Sequence, residues 1–183
     1  MSTITQTKKE ALPTGTWNVD PVHSQVGFAV DYVVGTFRGS FSPLEARLDV
    51  AEDGSATLIG SAPVTGVKVQ DENLSAHLQS PEFFDAERTP EIKFTSTEVR
   101  RTGDEIAIAG ELTIKGITHQ VEALGTIADP ADDAFGGVRF GLKLEASIDR
   151  TRFGLNWNNP LPNGQPSLAN DVTLSAELYL VKA

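Results

Sequence analysis

The chain has 183 residues, a length that fits one domain with a sizeable core. Its 25 acidic and 15 basic residues give a net charge of −10, which disfavours nucleic acid and anionic membranes as direct partners. Cysteine is absent, which excludes disulfides, thiolate metal sites and cysteine nucleophiles.

The N-terminal segment is polar, has no hydrophobic period and closes with Pro13. This pattern predicts a disordered tail over residues 1–13, followed by one domain over 14–183. The tail lacks the apolar core of a signal peptide, and no apolar run in the chain reaches the roughly 18 residues of a membrane span. We therefore expect a soluble, cytoplasmic protein with no transmembrane segment.

From Trp17 onward, apolar and polar residues alternate, which is typical of antiparallel strands with one buried face. The clearest stretches are 25–32, 44–50, 106–114, 138–148 and 172–180. Further strands are predicted over 57–61, 64–69, 92–99 and 120–127.

One segment, 71–84, places Leu74 and Leu78 at helical spacing. Either Asp71 or Asn73 is a suitable N-cap and Pro81 ends the pattern, so we predict a short helix followed by a helical turn near 83–86. Clusters of proline, glycine and acidic residues predict loops over 129–137 and 158–169.

Eight or nine alternating strands with one helix fit either a two-sheet sandwich or a closed barrel. Glycines inside the predicted strands favour the barrel, because they mark the bends that closure requires: Gly27, Gly39, Gly60, Gly110 and Gly141. We therefore predict an all-β fold with one short helix, an eight-stranded antiparallel barrel. Such a barrel either is packed solid or encloses one small ligand, and periodicity alone cannot distinguish the two.

The residue types of a nucleophilic triad occur at Asp20, His23 and Ser24. However, adjacent residues in a strand point to opposite faces, which does not suit His23 and Ser24 acting together. The three histidines, His23, His77 and His119, lack metal-ligand spacing, and glycine-rich nucleotide motifs are absent. We therefore predict no catalytic residue, no metal and no cofactor, and a protein that is not an enzyme.

Five stretches, in order, resemble the YceI family of lipocalin-like barrels. They are WNVDPVHS at 17–24, VGTFRGSF at 34–41, HLQSPEFFD at 77–85 with PEIKF at 90–94, GELTIKGIT at 110–118 and IDRTRFGL at 148–155. The resemblance implies an eight-stranded barrel whose apolar interior holds a long isoprenoid chain, for carriage or storage rather than for a reaction. Members of this family often have His where Asp31 stands and Arg where Leu74 stands.

The resemblance and the apolar stripes together predict that the barrel binds a long-chain polyisoprenoid or an isoprenoid quinone. The expected inner-wall ligand-binding residues are Phe28, Val30, Phe37, Phe41, Phe94, Leu112, Ile114, Phe140, Leu142 and Leu174. Phe83 and Phe84 follow the helix and are expected to line the mouth. His23 and Arg150 are candidate polar contacts, with structural hydrogen bonding as the alternative.

Two other functions are compatible with the sequence. A filled barrel is expected of a structural or stress-response protein, and a titratable pair inside the barrel is expected of an enzyme acting on a lipophilic substrate. The oligomeric state is also open, with a homodimer among the alternatives.

Overall fold

A computed structural model describes residues 11–183, and antiparallel strands dominate it. The strands are β1 (Gly15–Val19), β2 (Gln25–Tyr32), β3 (Gly35–Phe41), β4 (Glu45–Val50), β5 (Ala56–Pro63), β6 (Val67–Lys68), β7 (Glu91–Thr102), β8 (Glu105–Ile114), β9 (Ile117–Asp132), β10 (Val138–Asp149) and β11 (Leu168–Lys182). One α-helix, α1 (Glu72–Gln79), joins β6 to β7, and 3-10 turns cover Val64–Gly66 and Arg150–Phe153.

The strands close into a barrel because β1 pairs with both β4 and β11. The barrel has eight positions around its wall, which we call staves, and each of the first three is formed by two successive strands. Strand β11 pairs with β2 through residues 168–177 and with β1 through 180–182, so β1 and β2 are successive parts of one stave. In the same way, β3 and β4 form one stave, because β3 pairs with β2 and β4 pairs with β1. Strands β5 and β6 form another, because β5 pairs with β4 and β6 pairs with β3. Counted by staves, this is the predicted eight-stranded antiparallel barrel.

The two ends of the barrel differ in how they close. The upper end carries the β2–β3 hairpin and α1, while the lower end carries the β9–β10 hairpin and the start of β1. Strand β6 pairs with β3 over two rungs only, and α1 contacts it where the sheet thins out. The Asp71 carboxylate caps this helix by accepting a hydrogen bond of 2.9 Å from the Leu74 N–H, which fulfils one of the two predicted capping alternatives.

Residues 11–13 pack against the lower end. The Leu12 side chain is buried, the Trp17 indole N–H donates to the Pro13 carbonyl at 2.9 Å, and Arg101 donates to the Ala11 carbonyl at 3.1 Å. The predicted tail therefore includes three residues that join the domain, and the rest of it, 1–10, lies outside the described residues.

The structure adds strands β1 and β3, which are not among the predicted stretches, and it changes several boundaries. The predicted strand over 64–69 is a 3-10 turn followed by the two-residue β6. The first four residues of the predicted 129–137 loop extend β9, although Pro130 is among them, and β11 begins two residues before the end of the predicted 158–169 loop. Long-range pairing with β10 and β2 prolongs these strands beyond what local composition indicates.

The buried side chains form two clusters, one above the other. The lower cluster is built around Trp17, Leu48, Ile108 and Leu142, and the upper one around Phe41, Phe83 and Phe153. Within residues 11–183, the helices fall short of the length and apolar character that crossing a membrane requires.

Candidate functional site

The interior of the barrel contains two adjoining cavities. The upper cavity, of about 340 Å³, lies below the β2–β3 hairpin and α1, and the lower cavity, of about 160 Å³, lies beneath it. Both are bounded by the same five side chains: Val26, Ala62, Ile92, Leu112 and Leu174. The two spaces therefore form one apolar channel along the barrel axis, within the size range of small-molecule sites.

The lower cavity exists because its wall is built from small residues. Its lining includes the small residues Ala46, Gly60, Ala62, Ala123, Ala146 and Ala176. Below these positions the barrel is filled by side chains with almost no exposed surface, namely Trp17, Leu48, Leu142 and Leu180. We call this packed region the floor. Side-chain volume therefore sets the depth of the channel, because the small residues leave space along the barrel axis and the large residues of the floor fill it.

Aromatic rings line the upper cavity. Phe28 lies 5.7 Å from Phe37 and 5.8 Å from Phe41, measured between ring centroids, and Phe41 meets Phe84 edge-on at 5.4 Å. Phe28 lies across Gly39, its partner on β3, where an added Cβ would come within 2.5 Å of the ring. Glycine at this position therefore allows the ring to lie flat along the wall.

The mouth of the channel lies between α1 and the loop that follows the 150–153 turn. The His77 ring contacts Phe83 at 4.9 Å and Trp157 at 5.3 Å, both edge-to-face, and its Nε2 lies 2.6 Å from the Glu82 carboxylate. Half-buried rim residues, Leu74 among them, complete the opening. The mouth is thus framed by aromatic and aliphatic surface with a single histidine–carboxylate pair on its outer side.

Arg150 is the cation in the upper cavity wall, and its side chain is almost fully buried. Its guanidinium donates to the carbonyls of Ala169 at 2.8 Å, Leu155 at 2.6 Å and Trp157 at 2.8 Å. Two further contacts from Nη2, to the Leu168 carbonyl and the Asn170 side chain, are longer, at 3.4 Å. Among residues 11–183 it has no carboxylate at ion-pair distance, and burial lowers the pKa of the guanidinium.

The structure brings most of the predicted site residues to the channel. The upper cavity is lined by Phe28, Val30, Phe37, Phe41, Phe83, Phe84, Leu112, Ile114, Leu174 and Arg150, and the lower cavity by Phe94.

Phe140 and Leu142 lie in the floor instead, where Phe140 meets Trp17 edge-on at 4.7 Å. The apolar stripe of β10 correctly gives their inward face. It does not show how far along the barrel axis each residue lies, and these two lie below the channel.

His23 lies outside the barrel, with 59% of its side chain exposed. It belongs to a tight turn in which the Ser24 N–H donates to the Asp20 carbonyl, and its Nδ1 lies 2.6 Å from the Asp20 carboxylate. Ser24 Oγ is instead hydrogen-bonded by the Tyr179 N–H at 2.9 Å, so His23 pairs with Asp20 but the Ser24 hydroxyl does not join them in a triad. The three histidines lie apart, because His119 contacts Phe153 and His77 is at the mouth.

Arg139 joins two acidic residues beside this turn. Its guanidinium lies 2.6 Å from Asp20 and 2.7 Å from Asp133. Hydrogen bonds from His23 and Arg139 hold the pKa of Asp20 far below its usual range, and those from Arg139 and the Gly137 N–H lower the pKa of Asp133 to about 2. This network ties the outside of the barrel together and does not face the channel.

Several lining residues were missed by the sequence reasoning. Ile148 and Val172 lie on recognised apolar stripes, so extending the stripes to their upper ends identifies them. Trp157, Leu155 and His77 come from loop or helix and carry no two-residue period, and only the three-dimensional path of the 154–167 segment over the barrel end brings them in.

Comparison with known proteins gives a consistent assignment. The model of the YceI-like domain matches residues 17–180. A UPF0312 protein of Staphylococcus epidermidis is 29% identical over 87% of this chain and 94% of its own, and one of Photorhabdus laumondii is 28% identical over 85% and 80%.

Solved structures share the fold. Burkholderia cenocepacia BcnA superposes with a TM-score of 0.75 at 20% identity, covering 88% of this chain and 98% of that one. A structure described as a polyisoprenoid binding domain from Saccharophagus degradans gives 0.68 at 11% identity, covering 91% and 98%. With the family model spanning nearly all of the barrel, the chain belongs to the YceI-like family.

Proposed function

We propose that the protein binds a long-chain polyisoprenoid or an isoprenoid quinone in the channel, for carriage or storage. The observation that carries this proposal is the apolar channel, which runs from an aromatic mouth to a packed floor and has Arg150 as the charged group in its upper wall. The structurally similar Saccharophagus domain, described as polyisoprenoid-binding, supports the same class of ligand.

The shape of the channel favours a long, narrow, apolar ligand over a compact one. Each CH₂ moved from water into the channel contributes up to about 0.8 kcal/mol, and ordering a flexible chain takes back part of this. Affinity therefore rises with chain length until the tip of the chain reaches the floor at Leu142 and Trp17, and then levels off.

Arg150 gives the ligand a direction. It lies at the upper end of β10, next to the mouth, and its two Nη2 contacts of 3.4 Å are long enough to be exchanged for a better acceptor. A carbonyl or hydroxyl head group placed there satisfies the guanidinium while the chain runs down to the alanine-lined lower cavity. Leu74 at the mouth has an apolar side chain and offers the head group no hydrogen bond. Arg150 and His77 are therefore the side chains that recognise the head group at this end.

The first test is native mass spectrometry of the protein purified without added lipid, followed by dissociation constants for prenols of increasing length. We expect a retained lipid mass and an affinity that rises and then saturates. The matched variants are Ala146→Trp, which fills the lower cavity, and Ala131→Trp, at a position exposed on the outside of β9. Ala146→Trp should abolish the gain from longer chains and Ala131→Trp should preserve it, whereas a flat series in the parent protein contradicts the proposal.

A further inference from the structure

The tip of the β2–β3 hairpin presents apolar side chains to solvent. Tyr32 is 47% exposed, Val33 52% and Val34 98%. Three consecutive large apolar residues at a turn depart from the small polar residues that turns usually carry. We call this group, Tyr32 to Val34, the tip.

The backbone of the tip is held in an unusual conformation. Val33 has a φ of +48°, a left-handed value that β-branched residues rarely adopt and that asparagine or glycine takes more easily. Its N–H donates to the Ser167 carbonyl at 2.9 Å, and Tyr32 pairs with Leu168 on β11. The valine is therefore fixed in place at a position where a polar residue fits the turn better.

The tip adjoins the rim of the channel through Tyr32. Tyr32 lines the upper cavity, and Phe37 of the same hairpin lines it as well. An apolar ligand has very low solubility in water, so it has to be collected from a lipid phase and must enter through this mouth. The tip is continuous with that mouth.

The charges near the mouth indicate which lipid surface suits it. The hairpin carries Asp31 and Arg38, which offset each other, and the helix on the other side of the mouth begins with Asp71 and Glu72. With a net charge of −10 on the whole chain, an anionic surface repels the protein and an electrically neutral one does not.

We propose that the tip docks on an electrically neutral lipid surface and sets the channel mouth against it, so that the ligand passes between bilayer and barrel without crossing water. This inference rests on the proposed function, since it assumes a ligand that resides in lipid. Docking buries the two valines and half of a tyrosine, which supports a transient contact rather than a permanent anchor.

The test measures the rate at which a fluorescent prenol leaves phosphatidylcholine vesicles for the protein. Val34→Ser, and the double variant Val33→Asn with Val34→Ser, should slow this transfer by about tenfold, because each valine contributes apolar burial. The matched control is Phe135→Ser, which removes a residue that is 92% exposed at the opposite end of the barrel and should leave the rate unchanged. Phosphatidylglycerol vesicles should give slower transfer than phosphatidylcholine vesicles.

A second measurement separates this inference from the proposed function. Equilibrium binding of a short, water-dispersed prenol without vesicles should be equal in parent and tip variants. Absence of binding in the parent overturns the proposed function, whereas normal binding with unchanged transfer in Val34→Ser overturns docking by the tip. Dissociation of a parent dimer by Val34→Ser also overturns it, because a second copy of the chain then covers the tip. Val34 is almost fully exposed, so its substitution does not endanger folding.

Discussion

The floor and the channel lie one above the other in the same barrel and are made from the same strands, yet one is solid and the other hollow. On β10, the inward positions pass from Phe140 and Leu142, which are fully packed, to Ala146, which borders empty space. The alternation of apolar and polar residues is the same throughout. The period of the pattern therefore decides which side of a strand faces inward, while side-chain volume decides whether the interior is filled.

The largest effect is expected from truncating a floor leucine. Leu142→Ala should lower the free energy of unfolding by about 2–5 kcal/mol, because it opens a sealed void among fully packed neighbours. Leu174→Ala, the matched change in the channel wall, should cost less than about 2 kcal/mol, since this side chain already borders empty space. Urea unfolding of both variants measures the difference, and equal losses contradict the division into floor and channel.

Substitution by tryptophan should also distinguish the packed floor from the hollow channel. Leu142→Trp overpacks the floor and should cost about 1–3 kcal/mol. Ala146→Trp, two inward positions higher on the same strand, should leave the ligand-free protein nearly as stable, because the indole enters the lower cavity. Melting temperatures of the ligand-free proteins compare the two, and a large loss in Ala146→Trp shows that the lower cavity is not available to a side chain.

The helix at the mouth should respond to the loss of its cap. Asp71→Ala removes the acceptor for the Leu74 N–H and should cost about 1 kcal/mol, while Asp71→Asn keeps an acceptor and should cost less. The loss of stability should be confined to the upper end of the barrel. Prenol affinity should therefore change in Asp71→Ala, while the packing of the floor stays the same. Thermal unfolding and a prenol titration of both variants provide the check.

The smallest effect concerns pH and the outside of the lower end. Arg139 lowers the folded-state pKa of Asp133 to about 2, below the unfolded value of about 3.9, and His23 together with Arg139 lowers the pKa of Asp20. Because both folded pKa values are depressed, the network stabilises the fold fully above the unfolded pKa and loses this contribution as pH falls towards the folded one.

The variant Arg139→Gln should therefore be less stable than the parent at pH 6, and the difference should shrink between pH 4 and 2. Arg47→Gln, which removes a single exposed pair with Asp49, serves as the control and should show little effect at either pH. Urea midpoints at three pH values decide the matter, and a gap between Arg139→Gln and the parent that widens in acid contradicts the assignment.

The sequence predicts the fold far better than it predicts where along the barrel axis each inward-facing residue lies. Alternation and interior glycines gave the barrel, and helical spacing with Asp71 located α1. Leu142 was expected to contact ligand because its stripe is apolar, yet the stripe spans both floor and channel. Trp157 was missed because the 154–167 loop has no period, and its position depends on Arg150 and Asn158 binding distant main-chain groups. His23 lies in a local turn and is hydrogen-bonded to Asp20 there, which is the structural alternative for this residue.

The interrupted staves and the continuous strands of the barrel differ in how extensively they are paired. Strands β8 to β11 are joined by long ladders, whereas β3 holds β6 by two rungs, and β1 and β2 are interrupted at residues 20–24. We therefore expect the amide hydrogens of β6 to exchange through local opening and those of β8 to β11 to exchange on global unfolding. If the channel binds a long chain as proposed, the chain would enter on the side of the barrel where strand pairing is weakest, while the floor stays folded.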